Sequence, residues 1–322
     1  MKKTYGLCVI VILLAGIGLF IGRYDTSVYD IIQALIGNGD HMTHSLVWNI
    51  RLPRIMLVLL SGGALALSGV VYQTVFKNPL ASGDVIGASS GCSLGAMIAI
   101  LCAGDLWMIV GFSFIGGLII VLCTILLASK VKGNRILNLV IAGLILQAVA
   151  TSFMMIIKLQ ADPFRELANI EYWLMGGFSD ASWSQVWFVS IPILLCCVCL
   201  YALRWQIQML SFGEEADTLG VPVKRVRLFA LLLATLLISS VISIAGIVSW
   251  VGLLVPHIIK MLYHQPLSKS FGSIFLCGSC FLLLCDTLAR SLFVIELPIS
   301  VLTSLFGALF LILLFLKGRL PL

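Results

Sequence analysis

Charged residues inside apolar sequence are the first candidates for chemistry in this protein. Only 11% of its 322 residues are charged, whereas 61% are hydrophobic. Asp286 lies in "CDTLARS", and Arg290 follows it by four residues. A carboxylate in mid-membrane costs about 2.5–3.5 kcal/mol and is a functional candidate by default. Because residues four apart are neighbours on a helix, we expect a structural ion pair, and we keep proton coupling as the alternative.

Two arginines lie close together at the start of the second apolar segment. Arg51 and Arg54 flank Pro53 in "NIRLPR". Proline suits the first turn of a helix, but the positive end of the helix dipole disfavours arginine there. One interpretation is that both side chains extend to the membrane interface. The interpretation that we favour is a docking site for an acidic external partner.

Neither the histidine nor the cysteine pattern predicts a metal or redox site. His257 follows Pro256 in "GLLVPHIIK", and we interpret it as a packing residue beside a helix break. The ten cysteines lie in apolar segments, and Cys277 and Cys280 form a C-x-x-C pair. No histidine or acid at ligand spacing joins them, so we interpret the cysteines as packing residues. We therefore predict no metal, no cofactor and no disulfide.

Two polar residues and a run of glycines lie within the predicted membrane helices. Gln147 and Thr151 share one face of the fifth helix, where they would either line a translocation path or bond across helices. Gly87, Gly91 and Gly95 recur at every fourth position, which is typical of close helix packing in lipid. A phosphate-binding loop is disfavoured because the dipeptide Gly-Lys is absent from the sequence. A pump with this sequence must therefore take its energy from another protein or from a gradient.

Long apolar segments predict an all-α polytopic membrane protein that forms a single domain over residues 1–322. A run of 18 or more apolar residues can cross a hydrocarbon core of about 30 Å. We predict ten transmembrane helices, of which the eighth is short and contains a proline. They lie near residues 5–22, 55–73, 84–103, 106–129, 136–158, 186–204, 226–246, 249–264, 271–290 and 299–316.

The distribution of basic residues predicts the orientation. With the N-terminus inside, fourteen of the twenty lysines and arginines lie on the cytoplasmic side and six lie outside. This asymmetry predicts that both termini are cytoplasmic. Residues 23–50 and 159–185 then form external loops, and residues 205–225 form a cytoplasmic loop. Ten crossings also divide into five and five, which predicts an inverted repeat of the kind that many transporters contain.

The cytoplasmic loop contains the stretch "SFGEEADTLGVPVKR", residues 211–225, which is unusually rich in charge. Ser211 and Glu214 have the spacing of a capping box, which predicts a helix that starts near residue 212. Gly220 predicts its C-terminal end, with Pro222 just beyond. A helix of about two turns is too short to be stable alone in water. We therefore favour a docking helix for a cytoplasmic protein over a solvated loop.

Several segments together resemble the FecCD-type permease subunits of iron–siderophore, haem and vitamin B12 ABC importers. The resemblance covers nearly the whole chain from residue 50 onward. It rests on the order and spacing of "RLPR", "ALALSGVVYQTVFKNPLASGDVIGASSGCSLGA", "YWLMGGFS", "ADTLGVPVKRVR", "GLLVPHIIK", "DTLAR" and "ELPISVLTSLFGALFLILL". One departure is Trp250 in "AGIVSWVG", where the family commonly has phenylalanine. We interpret this change as conservative.

This resemblance implies a type II ABC importer permease fold in a bacterial cytoplasmic membrane. It implies a homodimer, two cytoplasmic ATPase subunits that hydrolyse ATP, and an extracytoplasmic binding protein that delivers a metal chelate. Arg51, Arg54 and Arg290 match the family's docking residues for the binding protein. The residues that match its ATPase-coupling helices are Glu214, Glu215, Asp217, Thr218, Leu219, Gly220 and Val221.

The expected function is therefore import of a metal chelate by a subunit that is not itself an enzyme. A ferric siderophore is the substrate that we favour, with haem and cobalamin as alternatives. A second hypothesis is an ion-coupled secondary transporter that works without an ATPase and uses Asp286 as its coupling site. A membrane enzyme is the weakest hypothesis, because no acid–base or metal cluster is evident.

Overall fold

The computed structural model describes residues 2–22, 24, 26–38, 40–263, 266–292 and 295–316, and the regular structure in these ranges is helical. The α-helices are α1 Lys2–Phe20, α2 Val28–Ile36, α3 His41–Ser45, α4 Leu52–Phe76, α5 Ala88–Leu101, α6 Leu106–Lys130, α7 Arg135–Gln160, α8 Glu166–Met175, α9 Trp183–Ala202, α10 Arg204–Met209, α11 Val223–Ala245, α12 Val251–Tyr263, α13 Leu267–Ser291 and α14 Ile299–Leu316. A π-helical turn spans Leu46–Arg51, and 3-10 segments span Gly83–Ile86 and Leu210–Asp217.

Ten of these helices are apolar enough to belong to the membrane. Seven are long enough to cross it, and three shorter apolar helices lie at Thr4–Phe20, Ala88–Leu101 and Val251–Tyr263. Seven and three make ten, in agreement with the predicted count. The second crossing is longer than predicted, because the helix runs without interruption from His41 to Phe76.

The two loops that were predicted to be external contain helices that the sequence did not predict. In the first, the Ser27 hydroxyl accepts a bond of 3.1 Å from the Asp30 amide at the start of α2. Gly37 ends that helix with a φ of +89°. In the second loop, α8 is ten residues long. Helices this short form because they pack on the bundle, so the capping residues alone did not reveal them.

Helix α4 lies at the centre of the bundle and is buried on nearly all sides. Its glycines allow close approach of neighbouring helices. A Cβ at Gly62 would overlap the Gly278 backbone of α13, and one at Gly69 would overlap Gly252 of α12. Gly91 likewise contacts the Gly116 backbone of α6. The packing interpretation of Gly91 is therefore confirmed, and Gly62 and Gly69 allow close helix packing in the same way.

Two short helices occupy corresponding positions in the two halves of the chain. Helix α5 is the third membrane helix of the first half, and α12 is the third of the second half. Interrupted backbone precedes both: the 3-10 segment Gly83–Ile86 lies before α5, and residues 246–250 before α12 are not helical. Helix α5 packs against α6 and α7, as α12 packs against α13 and α14. This correspondence agrees with the predicted inverted repeat of five and five helices.

Pro256 lies inside α12 without ending it, and a side chain from α4 explains how. Proline has no N–H, so the carbonyl of Gly252, four residues earlier, loses its helical donor. The amide Nε2 of Gln73 points to this carbonyl at 3.4 Å and to the Leu253 carbonyl at 3.3 Å. A side chain from a neighbouring helix therefore compensates for the proline.

We expect Gln73→Leu to destabilise the protein by about 1–3 kcal/mol, because it leaves a buried carbonyl without a donor. Thermal unfolding in detergent would measure the change. Gln147→Leu is the matched control, because Gln147 is only partly buried on α7. Equal unfolding temperatures for the two variants would contradict this account of Pro256.

Candidate functional site

The charged stretch of the predicted cytoplasmic loop folds as a 3-10 segment, Leu210–Asp217, rather than as the predicted α-helix. The predicted capping box is wrong. The Ser211 hydroxyl donates to the Gln208 carbonyl at 2.8 Å, and Glu214 pairs with Arg227 at 2.9 Å. Gly213, with φ +73° and ψ −136°, breaks the helical path between the two residues. This turn separates Ser211 from the amide that it would have capped.

The predicted stop at Gly220 is confirmed, as the last residue of a turn over 218–220 that follows the 3-10 segment. Gly220 has a φ of +81°, and its amide donates to the Asp217 carbonyl at 3.1 Å. The Val221 amide donates to the Ala216 carbonyl at 3.2 Å, which completes a Schellman motif. The Asp217 carboxylate accepts a bond of 3.1 Å from the Val223 amide at the start of α11. The segment is thus joined directly to a membrane helix.

Most of the predicted coupling residues face outward. Leu210 and Ala216 are buried against the bundle and hold the segment in place. The Glu214 side chain is 59% exposed, although it bonds Arg227, and Leu219 is 64% exposed. The other exposed members of the predicted set are Glu215, Asp217, Thr218 and Gly220, whereas Val221 is partly buried. An acidic and partly apolar surface results at this end of the bundle.

A buried charge cluster lies at the opposite end of α4. Asp286 is fully buried, and its Oδ1 lies 2.7 Å from Nη2 of Arg54. Its Oδ2 lies 3.2 Å from Nε of Arg290, which confirms the predicted ion pair. Arg54 also bonds Glu296, in the segment that precedes α14. Glu296 begins the sequence "ELPIS", which carries no local signal for this contact.

Arg51 is buried beside this cluster, and its hydrogen-bond partners are carbonyl groups. Its guanidinium donates to the Leu19 carbonyl at 2.6 Å and to the Tyr24 carbonyl at 3.1 Å. Arg290 donates in the same way to the Gly18 carbonyl at 3.3 Å. Both arginines therefore hold the end of α1 against α4 and α13. The structure brings Arg51, Arg54 and Arg290 together, as their shared predicted role requires.

The two predicted path residues lie on a largely exposed helix. Gln147 and Thr151 are partly buried and share a face of α7. Only 17% of the most apolar part of α7 is buried within the chain, against 67% for α11. The structure does not bring Gln147 and Thr151 near either charged site, because they lie mid-helix.

Sequence reasoning missed a cavity of about 310 Å³ that is lined by the segments preceding the short helices α5 and α12. Ser68, Ser82, Asp84, Ser89 and Ser249 supply its polar lining. The sequence signal that could have revealed it is the glycine content of the two segments before α5 and α12, the third and eighth predicted membrane helices. Within the described ranges, no group of three or more histidine, cysteine or acidic residues is arranged to hold a metal.

Trp250 closes one side of this cavity in a strained conformation. Its φ is +72°, a region that non-glycine residues rarely adopt. Its ring contacts Gly307 of α14 so closely that a Cβ at that position would overlap it. The residue that departs from the family pattern therefore links the start of α12 to the last helix.

We expect Gly307→Ala to destabilise the protein by about 1–3 kcal/mol, because the methyl group would displace the Trp250 ring. Gly111→Ala is the matched control, since an added Cβ there meets open space. Thermal unfolding of both variants in the same detergent tests the contact. If Gly307→Ala is as stable as Gly111→Ala, the ring does not pack as described.

Comparison with known proteins identifies the family. The profile of the FecCD transport family matches residues 7–317. The chain belongs to the FecCD transport family. Over 313 residues, 95% of the chain and 93% of the relative, it is 34% identical to the molybdate import system permease protein MolB of Haemophilus influenzae. It is 32% identical, over 99% of both chains, to a Helicobacter pylori protein named "Probable iron chelatin transport system permease protein".

A solved structure is also similar to this FecCD-family chain over nearly its whole length. It comes from a transporter assigned to the metal-chelate ABC type and captures an inward-facing conformation. The match has a TM-score of 0.90 and 34% identity, and it covers 98% of this chain and 99% of that one. The predicted family and fold are confirmed. This FecCD-family chain is the membrane-spanning permease subunit of an ABC importer.

Proposed function

We propose that this permease works as a homodimer with two cytoplasmic ATPase subunits and an external binding protein, and that it imports a metal chelate. The observation that carries the proposal is the exposed acidic segment Leu210–Asp217, which is fixed to α11. ATP hydrolysis then belongs to the separate ATPase. The protein would lie in a bacterial cytoplasmic membrane with both termini inside, as the fourteen-to-six distribution of basic residues favours.

ATPase coupling would use Glu214, Glu215, Asp217, Thr218, Leu219, Gly220 and Val221. Two contacts support transmission of movement from this segment to the bundle. Asp217 caps the first turn of α11, and Glu214 bonds Arg227 one turn further along the same helix. A partner that moves the segment would therefore move α11, because packed elements shift as units.

Docking of the binding protein would use Arg51, Arg54 and Arg290. Three guanidinium groups lie near two carboxylates, those of Asp286 and Glu296. Three positive and two negative charges leave one positive charge, which favours an acidic partner. The Glu296 side chain is 20% exposed, so a carboxylate of the binding protein could compete with it for Arg54.

The homodimer interface and the translocation path would form on helix faces that are exposed in a single chain. Only 17% of the apolar core of α7 and 28% of that of α14 are buried in this chain. A second copy against these helices would place Gln147 and Thr151 beside the axis. Polar side chains there would line the translocation path, since polar groups in a membrane face the bundle interior or a water-filled cavity.

The substrate that we favour is a ferric siderophore. The names of the relatives suggest the alternatives to test. One relative carries a name for molybdate import and another for iron chelatin transport. We therefore add molybdate to haem and cobalamin as competitors. All four can be tested in a single assay.

Uptake by proteoliposomes that contain the permease, its ATPase and its binding protein tests the substrate. Ferric siderophores, haem, cobalamin and molybdate are each supplied in labelled form with ATP inside. We expect saturable uptake of a ferric siderophore and at most a tenth of that rate for the others. Preferred uptake of molybdate would overturn the metal-chelate assignment.

A further inference from the structure

A basic pocket lies at the proposed cytoplasmic end of the bundle and shares one residue, Arg227, with the proposed coupling segment. Its volume is about 550 Å³, and it lies between the end of α6, the start of α7 and the start of α11. Five basic side chains line it, namely Lys132, Arg135, Lys224, Arg225 and Arg227. No acidic side chain is among the described residues of the lining. Such a concentration of positive charge without compensation favours an anionic occupant.

The other wall of the pocket is apolar and lies deeper in the membrane. Ile125 and Ala128 precede the end of α6, Leu139 lies one turn into α7, and Leu228 and Leu231 lie beyond the basic start of α11. Basic side chains therefore line the part of the pocket near the helix ends, and apolar side chains line the deeper part. A ligand that fills both parts must have an anionic head and an apolar tail.

Arg227 gives an independent indication that this pocket favours an anion. The residue is only 5% exposed. Its Nη2 bonds Glu214 at 2.9 Å, but its Nε and Nη1 are buried without a hydrogen-bond partner in the described part of the protein. Burying donors of a charged group without acceptors is unfavourable. A small rotation of the Arg227 side chain would let phosphate oxygens in the pocket supply the acceptors.

We propose that this pocket binds the headgroup of an anionic phospholipid. The phosphate would lie among the five basic residues, and the acyl chains would follow the apolar wall into the bilayer. Basic pockets between membrane helices at the cytoplasmic face suit such headgroups. Because Arg227 also bonds Glu214, a bound lipid would share this residue with the proposed coupling segment. The lipid would thereby stabilise the position of that segment.

Native mass spectrometry of the purified full-length protein tests the proposal. The probes are phosphatidylglycerol and phosphatidylcholine with identical acyl chains. We expect at least a tenfold preference for phosphatidylglycerol. The double variant Lys132→Gln/Arg135→Gln should lose this preference. It spares Arg227, so the bond to Glu214 is kept.

The matched control is Lys130→Gln/Lys269→Gln, which removes two exposed basic charges from the same end but not from the pocket. It should retain the preference, and equal unfolding temperatures would show that both variants fold. Equal loss in both variants would overturn the site in favour of general charge attraction. Unchanged binding in the pocket variant would overturn it as well.

Two further measurements distinguish an anionic lipid from a free phosphate and from a protein partner. If glycerol 3-phosphate or inorganic phosphate displaces the lipid at equal concentration, the pocket is a phosphate site and the lipid proposal is wrong. If the pocket variant keeps its lipid preference but loses copurification with the ATPase, the pocket is a protein contact and the lipid proposal is again wrong. Resistance to free phosphate with ATPase binding intact supports the proposal.

Discussion

Replacing Asp286 with alanine is expected to lower the free energy of unfolding by about 3–5 kcal/mol, the usual result of breaking a buried ion pair from one side. Asp286 is fully buried and lies between Arg54 and Arg290, at 2.7 and 3.2 Å. Without it, two buried guanidinium groups would face each other with Glu296 as the remaining acid that bonds Arg54. Thermal unfolding and the yield of folded protein in detergent measure the effect.

Two comparisons make the Asp286 prediction specific. Asp286→Asn keeps the volume and removes only the charge, so a loss similar to that of the alanine variant would assign the effect to electrostatics. Glu171→Ala breaks the pair between Lys158 and Glu171, whose side chains are 36% and 45% exposed. An exposed pair contributes about 0–1 kcal/mol. If both alanine variants unfold at the same temperature, Asp286 is not the centre of a buried cluster.

The second large effect is expected at the ATPase. Replacing Glu214, Glu215 and Asp217 together with alanine should abolish copurification of the permease with its ATPase. The cause is loss of the acidic surface and of two links to α11, from Glu214 to Arg227 and from Asp217 to the Val223 amide. Quantitative pull-down from detergent-solubilised membranes measures the loss. Unchanged binding would overturn the docking role of the segment.

A single substitution can test ATPase binding without disturbing the fold of the permease. Glu215 is exposed, and its side chain makes no hydrogen bond or ion pair in the described part of the chain, so Glu215→Lys should leave the fold intact. We expect it to weaken ATPase binding at least tenfold. Asp180→Lys makes the same charge change on an exposed residue of the loop that is predicted to be external, and this variant should bind the ATPase normally. Equal binding by both variants would show that Glu215 does not face the ATPase.

Much of the fold could be predicted from the sequence, because a membrane helix is largely determined by local hydropathy. All ten apolar helices were found in this way. The short helices in the two external loops were not found, since their stability comes from packing on the bundle. The prediction of the eighth helix was uncertain because Pro256 removes a backbone donor, and the group that compensates for it is also not local in the sequence. The compensating amide belongs to Gln73, which is far away in the sequence.

The charged sites were predictable only where contacts are local. The pair of Asp286 and Arg290 follows from helix spacing, and the Gly220 stop follows from turn chemistry. Arg54 reaches Asp286 across 232 positions and Glu296 across 242, so no local pattern could reveal the cluster. The capping box failed because Gly213 takes a turn that the spacing of Ser211 and Glu214 does not disclose.

The central claim is that this permease is driven by ATP through a separate subunit. Its most direct test compares uptake into proteoliposomes that contain the permease alone with uptake into those that also contain its ATPase, both with binding protein outside. We predict uptake only when the ATPase and internal ATP are both present, and no uptake by the lone permease under a proton or sodium gradient. Gradient-driven uptake by the lone permease would contradict the account and favour a secondary transporter.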